Sequence, residues 1–343
     1  EVALGSHYRI ALSDARVGLP EIHLGLIPGA GGTQRLPRLC GAEMALDIMF
    51  KGTTISAQTA HAAGLIDRFV EADLLDAALT YAGEVTQVRR TRDETRGLED
   101  EPAYRTALAE AEKTANTQMR GQMAPMQIIA CVKAALEQPF AEGRLYERDC
   151  FFDCLASKQS KGMIHAFFAE RASAKVPEAE RAQSRPLNSI GVVGGGTMGA
   201  GITVAALNSG LPVTMIERND DSLKRGRANV EKVYDRLLSK GRITHDHKAS
   251  VMALYTGSTD YADLSDADIV IEAVFERLDV KREVFTQLDK VMKPRAVLAS
   301  NTSYIDIDHI SSATSRPDQV LGLHFFSPAN IMKLLEIVVP KGV

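Results

Sequence analysis

The stretch "IGVVGGGTMGAGI", residues 190–202, constrains the fold more than any other part of the chain. Its Gly194-Gly195-Gly196-Thr197-Met198-Gly199 turn satisfies G-x-G-x-x-G. Alone that pattern is weak. Here an apolar, β-branched run precedes it, a helical stretch "TMGAGITVAALNSG" follows, and a second apolar run, "LPVTMIE", closes on Glu217. The strand–helix–strand setting makes the signal strong. Gly194 permits the tight turn, Gly196 lets a pyrophosphate approach the backbone, and Gly199 lets the helix sit close on the sheet. The helix start offers unpaired N–H groups and a positive dipole end. Glu217 is placed to accept from a ribose hydroxyl, which favours NAD over NADP. Arg218 weakens that preference slightly, because an arginine can hold a 2′-phosphate.

The β and α alternation continues through "DADIVIEAV", "RAVLASNT" and "QVLGLHFFSP", which predicts a parallel sheet. In such sheets ligands bind at the carboxyl ends of the strands. Polar residues fall there: Glu276 and Lys281 in "IEAVFERLDVK", Asn301 and Ser303 in "ASNTS", and His324 in "GLHFFSPANIMKLLE", with Glu336 twelve residues on. A histidine oriented by a carboxylate is a natural general base for an alcohol. Without that context His324 reads equally well as a structural histidine.

A second glycine cluster, "GLIPGAGGTQRLPRL", occupies residues 25–39. It lacks the Lys-Ser/Thr pair of a P-loop, which argues against nucleotide triphosphate chemistry. "HYRIALSD" and "ARVGLP" read as a strand out and a strand back. That returns the chain beside its start, so that Glu1 and Glu21 face one pocket. Two carboxylates so placed can run acid and base chemistry on one substrate. Spacing alone leaves two surface glutamates as an open alternative. "GAEMALDIMFKG" reads as a helix stopped at Gly52, and "SAQTAHAAG" as one capped by Ser56 and stopped at Gly64. Residues 84–120 read as a polar helical excursion and 124–171 as helices with apolar faces. Residues 172–186, "ASAKVPEAERAQSRP", read as a linker.

With 343 residues the chain has room for about two domains. Its formal charge of -4 gives no sign of nucleic acid or an anionic membrane as partner, and no apolar run is long enough to span a bilayer. Cys40, Cys131, Cys150 and Cys154 form no disulfide framework and read as reduced thiols; no metal site is expected. "HDH" at 245–247 reads as a solvated loop, "RRTRDETR" at 89–96 as a solvated helix face, and Met119, Met123 and Met126 as core filling. The chain starts at Glu1 and stops at "LEIVVPKGV", and both ends are expected to be cut from something larger.

Residues 187–343 resemble the NAD-binding domain of the L-3-hydroxyacyl-CoA dehydrogenases, through "GVVGGGTMGAGI", "IEAVFE", "ASNTS" and "GLHFFSPANIMKLLE". The resemblance implies His324 as base, Glu336 as its partner and Ser303 as a hydroxyl donor to the substrate oxygen. It sets Glu276 and Lys281 near the nicotinamide ribose and the substrate, and Asn301 in the cofactor site. Ser327 stands where single-function members have Asn, and the family's second, all-helical domain is expected to lie outside residues 1–343. "EVALGSHYRIALSDARVGLPEIHLGLIPGAGGTQRLPRLCG" resembles the second half of the crotonase (enoyl-CoA hydratase/isomerase) core. That implies Glu1 and Glu21 as the two catalytic glutamates and a first glycine loop that binds no phosphate. The family's oxyanion hole comes from chain preceding Glu1.

Together the halves resemble the multifunctional fatty-acid β-oxidation enzymes, and "HAFFAER" resembles the peroxisomal-type bifunctional arrangement and its bacterial relatives. The implied architecture is α/β: a partial crotonase-type ββα spiral with a helical extension over 1–171, then a Rossmann-type NAD domain over 187–343. The implied chemistry is hydration of a trans-2-enoyl-CoA and NAD-dependent oxidation of the product, with Glu21 serving any double-bond shift. The implied compartment is the cytoplasm in bacteria and the peroxisome in eukaryotes. An NAD-binding module without turnover is the alternative.

Overall fold

After residue 187 apolar side chains alternate between two destinations, which builds a sheet covered on both faces. Val192, Met215, Ile271 and Ala299 point to one core, and their neighbours Val193, Ile216, Val270 and Leu298 point to the other. The computed structural model describes residues 1–173, 175–176 and 183–341. It divides into two units, Glu1–Arg181 and Ala182–Val343.

The first unit begins with a short helix, α1 (Val2–Gly5), and two short strands, β1 (Ile10–Leu12) and β2 (Arg16–Val17). After a 3-10 turn at Glu21–Leu24 come α2 (Gly32–Lys51), β3 (Ile55–Ser56), α3 (Ala57–Ala62) and β4 (Arg68–Val70). Helices α4 (Leu74–Glu84), α5 (Glu101–Gln118), α6 (Met123–Glu137), α7 (Phe140–Ala156) and α8 (Lys158–Ser173) complete it. Its core joins α2, α5, α6 and α7 through residues such as Leu46, Leu108, Ile128 and Cys154.

Several expectations change here. The strands expected to run out and back do not pair with each other. β1 pairs in parallel with β4, and β2 pairs antiparallel with β3. Helix α2 starts at Gly32, earlier than its apolar pattern suggests, with a kink at Gly41, whose φ is 79°. Ser56 caps α3 by accepting from the Thr59 N–H. The helical excursion expected over 84–120 is helical only from Glu101, apart from a 3-10 turn at Thr91–Asp93. "RRTRDETR" is accordingly no helix face: Arg89 pairs with Asp67, Thr91 is buried, and Arg96 donates to the Leu39 and Gly64 carbonyls. Met126 is exposed rather than core. Of the linker expected at 172–186, residues 174 and 177–182 lie outside the described residues.

The second unit holds strands β5 (Ile190–Val193), β6 (Val213–Ile216), β7 (Tyr255–Ser258), β8 (Ile269–Glu272), β9 (Val297–Ser300), β10 (Val320–Phe325) and β11 (Leu335–Val338). Helices α9 (Thr197–Asn208), α10 (Asp220–Ser239), α11 (His245–Met252), α12 (Leu278–Val291) and α13 (Ile307–Ser311) lie among them. The sheet order is β11-β10-β9-β8-β5-β6-β7. It is parallel except for β11, an antiparallel edge strand that departs from the expected all-parallel reading. The chain leaves β5 in one direction for β6 and β7, then returns to its other side for β8. That reversal opens a crevice at the carboxyl ends of β5 and β8. "HDH" is not a loop: Thr244 accepts from the His247 N–H and starts α11 there.

Candidate active sites

In the second unit the glycine turn sits at the mouth of this crevice. Gly194 has φ 100°, and a Cβ on it would come within 2.8 Å of the Ala273 carbonyl after β8. A Cβ on Gly199 would come within 1.8 Å of the Gly194 carbonyl, so only glycine lets α9 start this close to β5. Gly196 differs. Its φ is -66°, which any residue adopts, and a Cβ there meets no atom of the described residues within 4 Å. Neither backbone nor packing asks for glycine at 196; space for a ligand does. No side chain caps α9, so its first N–H groups, at Thr197 and Met198, point into that space.

Glu217, following β6, accepts from the Gly195 N–H at 2.7 Å. Asn229 donates to the Gly195 carbonyl at 3.0 Å and ties the turn to α10. An open anion seat on a helix N-terminus, with a carboxylate on one flank, fits a dinucleotide.

Further along the same sheet, β10 and β11 set His324 directly opposite Glu336. Their contact, Nδ1 to Oε2, is 2.7 Å. The other ring nitrogen, Nε2, is 3.2 Å from the Ser303 hydroxyl. Ser303 follows β9, and its N–H donates to Glu276 at 2.9 Å, while the Thr302 hydroxyl donates to the same oxygen at 2.5 Å. These donors and Lys281 hold the Glu276 carboxyl below its usual range, against the upward push of its partial burial. Asn301 accepts from the Phe325 N–H at 2.9 Å and locks β9 to β10.

Lys281, expected at the cofactor, is 1% exposed, and its ammonium lies 2.8 and 3.0 Å from the two oxygens of Glu272 and 3.1 Å from Glu276. Its three donors are used inside the fold, so it supports Glu276 from beneath. Glu272, 0% exposed, is a residue the sequence reasoning missed. The Ser300 hydroxyl donates to it at 2.6 Å. Its signal was present: a lone carboxylate in the apolar run "IVIEAV" needs a buried cation.

In the first unit the glycine loop enters α2 with all its leading N–H groups aimed at carboxylates. Glu1 Oε1 accepts from Ala30 at 2.8 Å and Gly32 at 2.7 Å. Glu147, from α7, accepts from Gly31 at 2.8 Å and Thr33 at 3.0 Å. The anion seat of this helix is filled by the protein's own side chains. Glu21 begins the 3-10 turn after Pro20, and its Oε2 is buried with no hydrogen-bond partner among the described residues. Burial pushes its carboxyl above the usual range, and the charge of Glu1 adds a smaller push. Cys150 and Cys154 are buried on α7, and no cluster of three or more metal-ligating side chains occurs among the described residues. No helix among those residues is long and apolar enough to cross a membrane.

The family model described as "3-hydroxyacyl-CoA dehydrogenase, NAD binding domain" matches residues 189–342. The one described as "Enoyl-CoA hydratase/isomerase" matches residues 1–123. The class is therefore a crotonase-type domain followed by a Rossmann-type NAD-binding dehydrogenase domain, an α/β protein. Relatives match along nearly the whole chain. The peroxisomal bifunctional enzyme of Cavia porcellus is 38% identical over 345 residues, which is 98% of this chain and 47% of the relative. The peroxisomal fatty acid beta-oxidation multifunctional protein of Arabidopsis thaliana is 38% identical over 353 residues, 100% of this chain and 48% of the relative. Both domains are thus present in this chain, which spans about half the length of the curated relatives it matches. Among solved structures, the (S)-3-hydroxybutyryl-CoA dehydrogenase of Ralstonia eutropha is 41% identical, over 44% of this chain and 54% of that one, with a TM-score of 0.43.

Proposed function

We propose that this chain hydrates a trans-2-enoyl-CoA to the L-3-hydroxyacyl-CoA in residues 1–171 and oxidises that alcohol to the 3-ketoacyl-CoA in residues 187–343. In the first site Glu1 is the base. Its carboxylate, oriented by two backbone N–H groups, takes a proton from water as the oxygen bonds to C3. Glu21, which burial favours in its protonated form, gives its proton to C2. Exchange with solvent restores both. The same Glu21 proton would serve a shift of a double bond from C3 to C2.

In the second site NAD, when bound, supplies the hydride acceptor. The α9 N-terminus would hold its pyrophosphate, Glu217 its adenosine ribose and Glu276 the nicotinamide ribose. His324 Nε2 takes the 3-hydroxyl proton, with the Ser303 hydroxyl on the same oxygen. Glu336 fixes the ring tautomer and balances the imidazolium that forms. The observation that carries this reading is His324 held at 2.7 Å from Glu336 and 3.2 Å from Ser303. In a eukaryotic source the relatives' names favour the peroxisome.

The test is NADH appearance at 340 nm. An L-3-hydroxyacyl-CoA should give NADH directly, and a trans-2-enoyl-CoA should give it through hydration. NAD binding without NADH from the hydroxy substrate would refute the oxidation and leave the binding-module reading.

A further inference from the structure

Helix α7 begins beyond residue 123, where the hydratase/isomerase match ends. One of its faces nevertheless presses on the loop that carries Glu1. Gly143, Glu147 and Phe151 recur at four-residue spacing, which puts them on one side of the helix. A Cβ on Gly143 would stand 2.2 Å from Gln34 Oε1, and a Cβ on Gly29 would stand 2.5 Å from the Phe151 ring. Anything larger at either glycine would force the facing side chain to move.

Between these two contacts lies Glu147, 0% exposed. Besides the Gly31 and Thr33 N–H groups it accepts the Thr33 hydroxyl at 2.5 Å, and Arg144 donates to it. Gly31, at φ 102°, alternates the direction of successive N–H groups. Those of residues 30 and 32 reach Glu1, and those of 31 and 33 reach Glu147. Without an acceptor on the α7 side, two N–H groups at a helix start would be left unpaired or would compete for Glu1.

We propose that Glu147 is a positioning residue for the hydration site: by holding Gly31 and Thr33 it turns the Ala30 and Gly32 N–H groups onto Glu1. This rests on the reading of Glu1 as the base. It also makes the helical extension part of that site. In Glu147→Gln the amide NH2 must face one of the two loop donors, so the alternation breaks while side-chain volume is kept.

The experiment has two arms on the whole chain. In the first, ¹⁵N-labelled amides of Ala30 and Gly32 are followed by NMR. Neither touches residue 147, yet in Glu147→Gln both should shift, and their hydrogen exchange should accelerate about tenfold. Thr33→Val, which removes only the hydroxyl donor, is the milder variant should Glu147→Gln fail to fold, and should move both amides in the same direction. In the second arm hydration kcat should fall about 10- to 100-fold with KM unchanged. NADH formation from a supplied L-3-hydroxyacyl-CoA should stay at the parent rate. Unmoved Ala30 and Gly32 amides, or unchanged hydration kcat beside a Glu1→Gln variant that has lost it, overturns the positioning role alone. Parent-like hydration by Glu1→Gln overturns the base reading and the hydration role of Glu147 with it.

Discussion

Gly196→Ala and Gly199→Ala add the same methyl group three residues apart and should fail in different ways. At Gly199 the new Cβ lands 1.8 Å from the Gly194 carbonyl oxygen, where real Cβ contacts essentially never fall below 3.0 Å. The obstacle is backbone, so α9 must retreat from β5. Overpacking of this kind costs roughly 1–3 kcal/mol, and a domain of this size loses about 2–4 °C of Tm per kcal/mol. NAD affinity should fall as well, because the helix start moves. At Gly196 the backbone is already extended and the Cβ meets no atom of the described residues within 4 Å, so Tm should hold.

The methyl at 196 instead enters the space of the pyrophosphate and removes one or two charge-assisted hydrogen bonds. That loss is about 2–4 kcal/mol, or ~30- to 1000-fold in Kd. Calorimetric titration with NAD, paired with thermal denaturation, separates the two variants. Parent-like NAD affinity in Gly196→Ala would falsify the placement of the pyrophosphate and the argument from open space.

His324→Ala should lower NADH formation on the order of 10²–10⁴-fold and leave NAD binding intact. Glu336→Gln should cost less, since the imidazole stays; equal losses in the two would argue that the carboxylate acts directly. Lys281→Met should destabilise the second unit by ~3–5 kcal/mol, because Glu272 is left charged and buried. The double change with Glu272→Gln should recover part of that in denaturant titration, and a neutral single variant would contradict the buried pair. Glu21→Gln should abolish hydration and spare oxidation of a supplied hydroxy substrate. It should also stabilise the fold near neutral pH. The folded-state carboxyl titrates above the unfolded one, so its contribution is fully present below the unfolded value and is lost as pH rises through the folded one. The gain of the variant should therefore grow from acid to neutral pH. A gain that grows toward acid would show that the buried oxygen finds a partner.

The second unit was largely legible because its rules are local. Continuous apolar, β-branched runs, helices between them and a glycine turn with fixed spacing determine a βαβ sheet wherever they occur. They also led to Glu217, Ser303, Asn301 and His324 at strand ends. What local pattern does not carry is which strand neighbours which. Pairing of β10 with β11 put Glu336 directly across from His324, and the reversal of strand order made the crevice. The first unit was less legible for the same reason. Its strands are two or three residues long, too short to show a period, and their partners lie 38 to 58 residues away in sequence. The fates of Lys281 and Glu147 were tertiary in the strict sense. The sequence placed Lys281 at a strand end near the cofactor, but only the fold brings Glu272 beneath it. Glu147 drew no reading from the sequence, because its burial depends on α7 lying against a loop more than a hundred residues earlier. Sequence determined which groups were available; the long-range packing decided which charges were buried, and burial is what turns a side chain from a solvated surface group into one that must hold a specific partner.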